Sequence, residues 1–346
     1  MINKRSAFGL FLLSVLMVPV VAAQEEHLYP ILQDGRYGFI DQQGAIAVDP
    51  TFDLARSFEE SRAAVRIGRF WGFIDARGTF VVDPQYDQVF DYAAGYARFK
   101  KGGYWGVLDY EGRVVVEPEY EHLLDHENGR VPVEFTRRVA RAAGKSGWGF
   151  LSMDGEVAIK PQYEAVQSFS EELAAVRISR KFLFVRLIQR WGFIDVAGNW
   201  VLKPVYKSAR SFTEGLALVR QGGDIGYVDR TGAMVVRLDY KQAYPFAEAR
   251  ARIADKGKWG FIDPQGKVVI DLIFDQASDF SEGRAAVQDG ERWGFIDPDG
   301  QFIIPPLFDR AWDYEGGVAR VRLSGRDGYI DRSGALVWQE APEGGR

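Results

Sequence analysis

The sequence predicts an all-β protein, a tandem array of about nine repeats that are each a three-stranded β-meander. Three observations predict it: a recurring Trp-Gly signature, a second glycine six residues after each signature glycine, and short β-branched and aromatic stretches on either side of that turn. One such meander cannot bury its own apolar face. Neighbouring units must therefore complete the core.

The signature glycine recurs every 34 residues, apart from two consecutive intervals of 43. Its nine positions are Gly38, Gly72, Gly106, Gly149, Gly192, Gly226, Gly260, Gly294 and Gly328. Propellers generally have about 4 to 8 blades of four strands, which nine units of three strands fit poorly. We therefore expect an open, curved, solenoid-like array, with a closed propeller-like ring as the alternative.

The elements of a unit follow in a fixed order. A strand such as Arg62–Gly68 precedes the Trp-Gly strand, and an Asp-x-x-Gly turn leads to a third strand such as Lys267–Asp271. A connecting arm follows, with Pro-x-Tyr/Phe and then an aromatic residue. The Asp of each turn is a single carboxylate, whereas a calcium ion needs several converging oxygen ligands, so the turns do not predict calcium sites. The residues expected to have a structural role in the repeat are Trp71, Gly72, Trp105, Gly106, Trp148, Gly149, Trp191, Gly192, Trp259, Gly260, Trp293 and Gly294.

This register resembles the WG-repeat family of bacterial proteins, also called KWG repeats. The resemblance is carried by Trp71-Gly72-Phe73-Ile74-Asp75, by the run Phe280–Val287 (FSEGRAAV), and by Lys258-Trp259-Gly260 itself. It covers nearly all of the chain after the N-terminal segment. The resemblance implies a tandem β-repeat domain used for binding or scaffolding, with no common enzymatic activity.

The N-terminal segment 1–23 is predicted to be a secretory signal peptide. Lys4 and Arg5 precede an uncharged apolar run that ends in Val-Ala-Ala before Gln24. An uncleaved anchor is the alternative, but the run is shorter than the roughly 20 residues that span a bilayer. We expect a chain exported to the periplasm or the medium, with a repeat domain over 24–340 and a tail over 341–346. The chain has no cysteine, so it must fold without disulfides.

The two longer units carry nine extra residues each, in the same hairpin, near 134–147 and 178–190. Stacked units would place these hairpins side by side. They concentrate basic and apolar residues on an acidic protein, which favours binding of an anionic partner; alternatively, the hairpins only pair with each other. The candidate binding residues are Arg137, Arg138, Arg141, Lys145, Arg180, Lys181, Phe182, Phe184, Arg186 and Arg190.

Neither catalysis nor a cofactor is indicated. His122 and His126 resemble a metal pair, but His126 falls in an aromatic column of the repeat, which favours a structural role. A net charge of −5 disfavours nucleic acid. We expect an exported, non-catalytic binding or scaffold protein for a protein or peptide partner. The alternative is an envelope-associated module that docks on anionic lipid or cell-wall glycan, and a hydrolase is a weaker one.

Overall fold

The computed structural model describes residues 27–136, 139, 147–182 and 186–342, and the strands in this part form nine antiparallel sheets. Each sheet takes its strands consecutively from the chain, so each is one blade built from one repeat. No helix in these ranges is long and apolar enough to cross a membrane. The all-β tandem-repeat prediction is confirmed.

The strands are numbered in chain order. Blades 1 to 3 contain β1 (Tyr29–Gln33), β2 (Arg36–Ile40), β3 (Ile46–Phe52); β4 (Leu54–Glu59), β5 (Arg62–Ile67), β6 (Phe70–Ile74), β7 (Phe80–Tyr86); and β8 (Gln88–Val89), β9 (Tyr96–Lys101), β10 (Tyr104–Asp109), β11 (Val114–Tyr120). Blades 4 to 6 contain β12 (Arg130–Phe135), β13 (Gly147–Ser152), β14 (Val157–Tyr163); β15 (Ala165–Val166), β16 (Leu173–Phe182), β17 (Arg186–Asp195), β18 (Trp200–Tyr206); and β19 (Ser208–Thr213), β20 (Leu216–Gln221), β21 (Asp224–Val228), β22 (Met234–Leu238). Blades 7 to 9 contain β23 (Gln242–Ala247), β24 (Arg250–Asp255), β25 (Lys258–Ile262), β26 (Val268–Phe274); β27 (Gln276–Ala277), β28 (Ala285–Asp289), β29 (Arg292–Ile296), β30 (Phe302–Phe308); and β31 (Arg310–Glu315), β32 (Val318–Leu323), β33 (Arg326–Asp331), β34 (Leu336–Gln339).

The connecting arm supplies a fourth strand, so the predicted three-stranded unit is wrong for most blades. In blade 2 the arm strand β4 pairs with β5, from Leu54 opposite Arg66 to Glu59 opposite Arg62. In blade 4 the arm makes only an isolated bridge, Leu123 to Val133. In the described part of the chain, blade 1 has no arm, since β1 begins only two residues after the first described residue.

The signature glycine is required because the fourth strand bulges onto it. Trp191 pairs with Tyr206 and Phe193 pairs with Leu202, so three residues of β18 oppose Gly192 alone. A Cβ atom at Gly192 would lie 2.6 Å from the carbonyl oxygen of Leu202. The second glycine has a different reason: Gly266 closes the turn that begins at Asp263 and has a φ of +81°.

The core lies between the blades. An aromatic residue follows eight of the nine signature glycines, with Val107 as the exception, and all eight are almost entirely buried. In seven of these units the ring packs on an aromatic residue in the arm of the next blade. Phe193 and Phe212 are typical, with ring centroids 4.8 Å apart and nearly perpendicular planes. Each blade is therefore stabilised mainly by its neighbours, as expected for a repeat.

First strands of neighbouring blades lie closest to one another and surround the axis. The Ser170 hydroxyl donates to the Phe212 carbonyl at 2.6 Å, and the Ser281 hydroxyl donates to the Tyr314 carbonyl at 2.7 Å. The fourth strands lie at the rim and hold the most exposed apolar side chains. Proline in most of these rim strands, as at Pro84, discourages pairing with another chain.

Six junctions between blades share one polar contact. Near the end of the connecting arm, one residue has a left-handed backbone, with φ near +50°, and its side-chain oxygen accepts the backbone N–H of a residue in the next blade. We call it the clamp residue. The pairs are Glu60 with Gly95, Asn128 with Glu172, Glu171 with Gly215, Glu214 with Ala249, Glu248 with Gly283, and Glu282 with Gly317.

The ring is closed, so the predicted open array is wrong and the alternative is right. Blade 9 packs on blade 1, in a contact that we call the seam. The rings of Tyr29 and Tyr329 lie 5.4 Å apart, and the Tyr329 hydroxyl donates to the carbonyl of Pro30 at 2.7 Å. The Tyr29 hydroxyl donates to the carbonyl of Gly316 at 2.9 Å. The molecule is therefore a nine-bladed β-propeller.

Tyr29 compensates for the missing first strand of blade 1. At other junctions an aromatic residue of that strand packs on the preceding blade, as Phe58 does on Phe39 at 4.8 Å. At the seam the Tyr29 side chain packs on Tyr329 instead. The positions equivalent to Tyr29 hold small residues: Ala63, Ala97, Val131, Ala174, Ala217, Ala251, Ala285 and Ala319. Within the residues that the structure describes, the ring therefore closes through side chains, without a shared strand.

Candidate functional site

The two insertions lie on adjacent blades, 4 and 5. In blade 5, β16 and β17 are ten residues each and pair from Leu173 opposite Asp195 to Phe182 opposite Arg186. The corresponding strands of blade 8 have five residues each. Beyond the pair Ile178–Arg190, four further pairs extend this hairpin by about 13 Å, at roughly 3.3 Å per residue.

The predicted binding residues are only partly described. Arg137, Arg138, Arg141, Lys145 and Phe184 lie outside the described residues.

Four more, Arg180, Lys181, Phe182 and Arg186, are placed by the backbone of the β16–β17 hairpin alone. Arg190 donates a hydrogen bond to the Gln189 carbonyl at 2.8 Å.

A cleft of about 490 Å³ lies on blade 4, at the base of its insertion, and reaches Glu164, which directly precedes blade 5. It combines aromatic and polar side chains. The residues that line it are Glu134, Phe135, Thr136, Gly147, Trp148, Gln162, Tyr163 and Glu164. Clefts of this size that join apolar walls to a few polar groups are typical of binding sites.

Polar groups of the cleft are only partly paired. Glu164 accepts a hydrogen bond from Gln189 of the blade 5 hairpin at 3.1 Å, and its oxygen lies 3.9 Å from the Arg177 guanidinium. The buried hydroxyl oxygen of Thr136 has no hydrogen-bond partner among the described residues. Burial raises the pKa of Tyr163 to about 12, so its phenol stays protonated at neutral pH. The cleft can therefore both donate hydrogen bonds to a ligand and accept them.

Sequence reasoning missed the cleft because its aromatic residues belong to regular columns of the repeat. Trp148 is a signature residue and Tyr163 ends the Pro-x-Tyr motif, so neither stands out. The signal that could have identified them is their position at the base of an insertion.

His126 packs in the core away from this cleft, with its ring 5.2 Å from that of Tyr96, and burial lowers its pKa. The described residues contain no cluster of three or more histidine or acidic side chains that could hold a metal.

Eight segments of the chain match the family model for WG-containing repeats. The segments are 37–69, 71–105, 105–135, 148–182, 191–223, 225–259, 259–293 and 293–326. The chain belongs to the WG-repeat family. The suspected family is therefore confirmed, and its repeats form the blades described above. A search of curated proteins gave no match.

The seam explains why eight matched segments correspond to nine blades. Each matched segment begins near a Trp-Gly strand and ends in the next blade, so it spans two blades. The strands that remain are β33 and β34 at one end and β1 at the other, and they meet at the seam. The ninth WG repeat is therefore split between the two ends of the chain.

Several solved structures resemble this WG-repeat propeller. A crystal structure described as the eukaryotic initiation factor has a TM-score of 0.63 at 13% identity, covering 92% of this chain and 96% of that chain. Apo AztD from Citrobacter koseri has a TM-score of 0.40 at 12% identity, covering 92% and 95%. The β-propeller domain of the Trilobed protease from Pyrococcus furiosus has a TM-score of 0.37 at 10% identity, covering 90% and 97%. At such identities the likeness to the first concerns the fold alone.

Proposed function

We propose that this WG-repeat propeller is an exported, non-catalytic scaffold that binds a protein or peptide partner through the insertions of blades 4 and 5 and the cleft below them. The repeat propeller fold suits a binding or scaffolding module. One observation carries the choice of site: the two units that depart from the 34-residue period lie next to each other, and the cleft at the base of the blade 4 insertion contacts the blade 5 hairpin through Glu164 and Gln189.

The chemistry of this surface favours a peptide chain as the ligand. Trp148 and Tyr163 supply aromatic surface, and Glu134 and Glu164 supply acceptors. Aromatic side chains beside polar groups are typical of interfaces that hold a protein partner. The basic residues of the insertions would add electrostatic attraction around the cleft. Export is supported by the N-terminal sequence 1–23.

The test is to shorten both insertions to the length found in the other blades. Residues 136–146 and 179–189 would each be replaced by a two-residue Asn-Gly turn, which retains the last regular pairs, Phe135–Gly147 and Ile178–Arg190. A matched control replaces the turn Gly290–Glu291 of blade 8 with the same dipeptide. Circular dichroism would verify that all variants fold.

Partner capture by crosslinking in cell-envelope extract is the readout. We expect the shortened variant to lose a protein captured by the parent chain and by the blade 8 control. Capture that survives shortening would place the site elsewhere. If the parent chain bound only anionic vesicles or cell-wall glycan, and this binding weakened steeply with salt, the ligand would be the envelope and not a protein.

A further inference from the structure

A second, larger groove opens at the seam, far along the ring from the insertions. It measures about 740 Å³ and lies between the turns of blade 1 and blade 9. Its main lining residues are His27, Asp41, Gln42, Glu282, Gly316 and Arg332. The size is that of a site for a small molecule or a short peptide segment.

At the seam the clamp position carries no acceptor side chain, as is also the case at Ala94 of blade 3. The residue at the clamp position of blade 9 is Gly316, and the N–H that a clamp would reach belongs to His27. Among the described residues no acceptor bonds to that N–H. Gly316 cannot simply be exchanged, because a Cβ atom there would lie 2.8 Å from the Cβ of His27.

The rest of the junction geometry is retained. In blade 6 the Arg230 side chain donates to the carbonyl of the clamp residue Glu171 at 2.7 Å. At the seam Gln42 donates to the carbonyl of Gly316, also at 2.7 Å. Five of the six clamped junctions have a carboxylate at the clamp position, and the seam does not.

The acids already in the groove are engaged, so they do not fill this role. Asp41 accepts the N–H groups of Gln43 and Ala45, both at 2.9 Å. Glu282 clamps Gly317 at 3.0 Å and forms an ion pair with Arg332 at 2.6 Å. Arg332 neutralises Glu282, and the two N–H groups stabilise the Asp41 carboxylate, so neither acid is free to accept the His27 N–H.

We propose that the seam groove binds the carboxylate of an extended peptide, which occupies the place of the missing clamp and accepts the His27 N–H. An acidic side chain and a free C-terminal carboxylate share this chemistry. The proposal does not rest on the insertions of blades 4 and 5, and shortening them should leave it unaffected.

The test uses three fluorescently labelled tetrapeptides with the full chain. Each carries the same uncharged dye on its N-terminal amine: Ala-Gly-Ser-Glu-amide has only a side-chain carboxylate, Ala-Gly-Ser-Gln with a free C-terminus has only a terminal one, and Ala-Gly-Ser-Gln-amide has neither. We expect one of the first two to bind at least tenfold more tightly than the third, from one charge-assisted hydrogen bond. Equal binding by all three, or no binding, would refute the proposal.

Two variants locate the binding. His27→Gly combined with Gly316→Glu restores the Glu-Gly pair of other junctions, such as Glu248 with Gly283, and should lower the affinity at least tenfold. Glu248→Gly opens the same vacancy at the junction of blades 7 and 8, away from the seam groove, and should leave the affinity unchanged. Unchanged affinity in the double variant would contradict the proposal. So would binding that appears only when Glu25 and Glu26 are both replaced by Gln, because the chain's own acids would then be the ligand.

Discussion

At the scale of single residues, the clamp shows why an unfavourable backbone is retained. Glu248 has a φ of +50°, a conformation that costs a non-glycine residue of order 1 kcal/mol or more. Its carboxylate accepts the N–H of Gly283 at 2.8 Å in the next blade. Glycine would relieve the strain but could not reach across the junction.

Two substitutions at Glu248 separate these effects. Glu248→Ala loses the hydrogen bond and keeps the strain, so we expect a loss of about 1 to 2 kcal/mol in unfolding free energy. Glu248→Gly loses the same bond without the strain and should cost about 1 kcal/mol less than Ala. Urea unfolding measures both. Equal losses would mean that backbone strain contributes nothing at this position.

At the scale of elements, the Trp-Gly signature reflects contact between two strands of one blade. The bulge of β18 brings the backbone of Leu202 against Gly192, so the third strand has no room for a side chain at that point. The bulge also turns the fourth strand toward the next blade, where Tyr206 joins the core with Phe193 and Phe212. The signature thus links the shape of a blade to packing between blades.

Gly192→Ala should therefore destabilise the protein by about 1 to 3 kcal/mol, the range for overpacking. Gly223→Ala is the matched control, because no atom lies within 4 Å of its Cβ position and its φ is not in the left-handed region. The control should stay within about 0.5 kcal/mol of the parent. Thermal unfolding of both variants is the measurement, and a similar loss in the two would refute the contact argument.

The sequence was sufficient to predict the strands around each Trp-Gly signature, because turn residues and alternating apolar residues mark them locally. The arm strands were missed because some, such as β8 and β15, have two residues and no alternation to detect. Only the location of the candidate site could be predicted, because the insertions interrupt the 34-residue period. The seam groove depends on Gly316, whose importance appears only when six other junctions reveal the clamp.

At the scale of the whole molecule, closure of the ring brings two acids of blades 2 and 9 together. Glu59 ends the first strand of blade 2 and Glu315 ends that of blade 9. Burial, and then the charge of Glu315 and a hydrogen bond with it, raise the pKa of Glu59 from 4.5 to about 7. Asp91 and Glu60 raise it further.

This pKa predicts a dependence of stability on pH. The folded chain holds the Glu59 proton more tightly than the unfolded chain, so stability is highest below about pH 4.5 for this group and falls as pH rises to about 7. We expect Glu59→Gln to lose less in Tm between pH 5 and pH 8 than the parent chain, as measured by calorimetry. Glu315→Gln should have a similar effect. Parallel Tm profiles for all three proteins would contradict this.

The split ninth repeat has a mechanical consequence. Eight junctions between blades are continuous in the chain, whereas in the described part of the chain the seam is held by contacts such as Tyr29 with Tyr329 and Gln42 with Gly316. A pulling force applied at the two ends would load these few contacts first, before any sheet hydrogen bond. The propeller would then open at the seam and unwind blade by blade from its ends, so the same architecture is weak to tension at its termini and strong elsewhere.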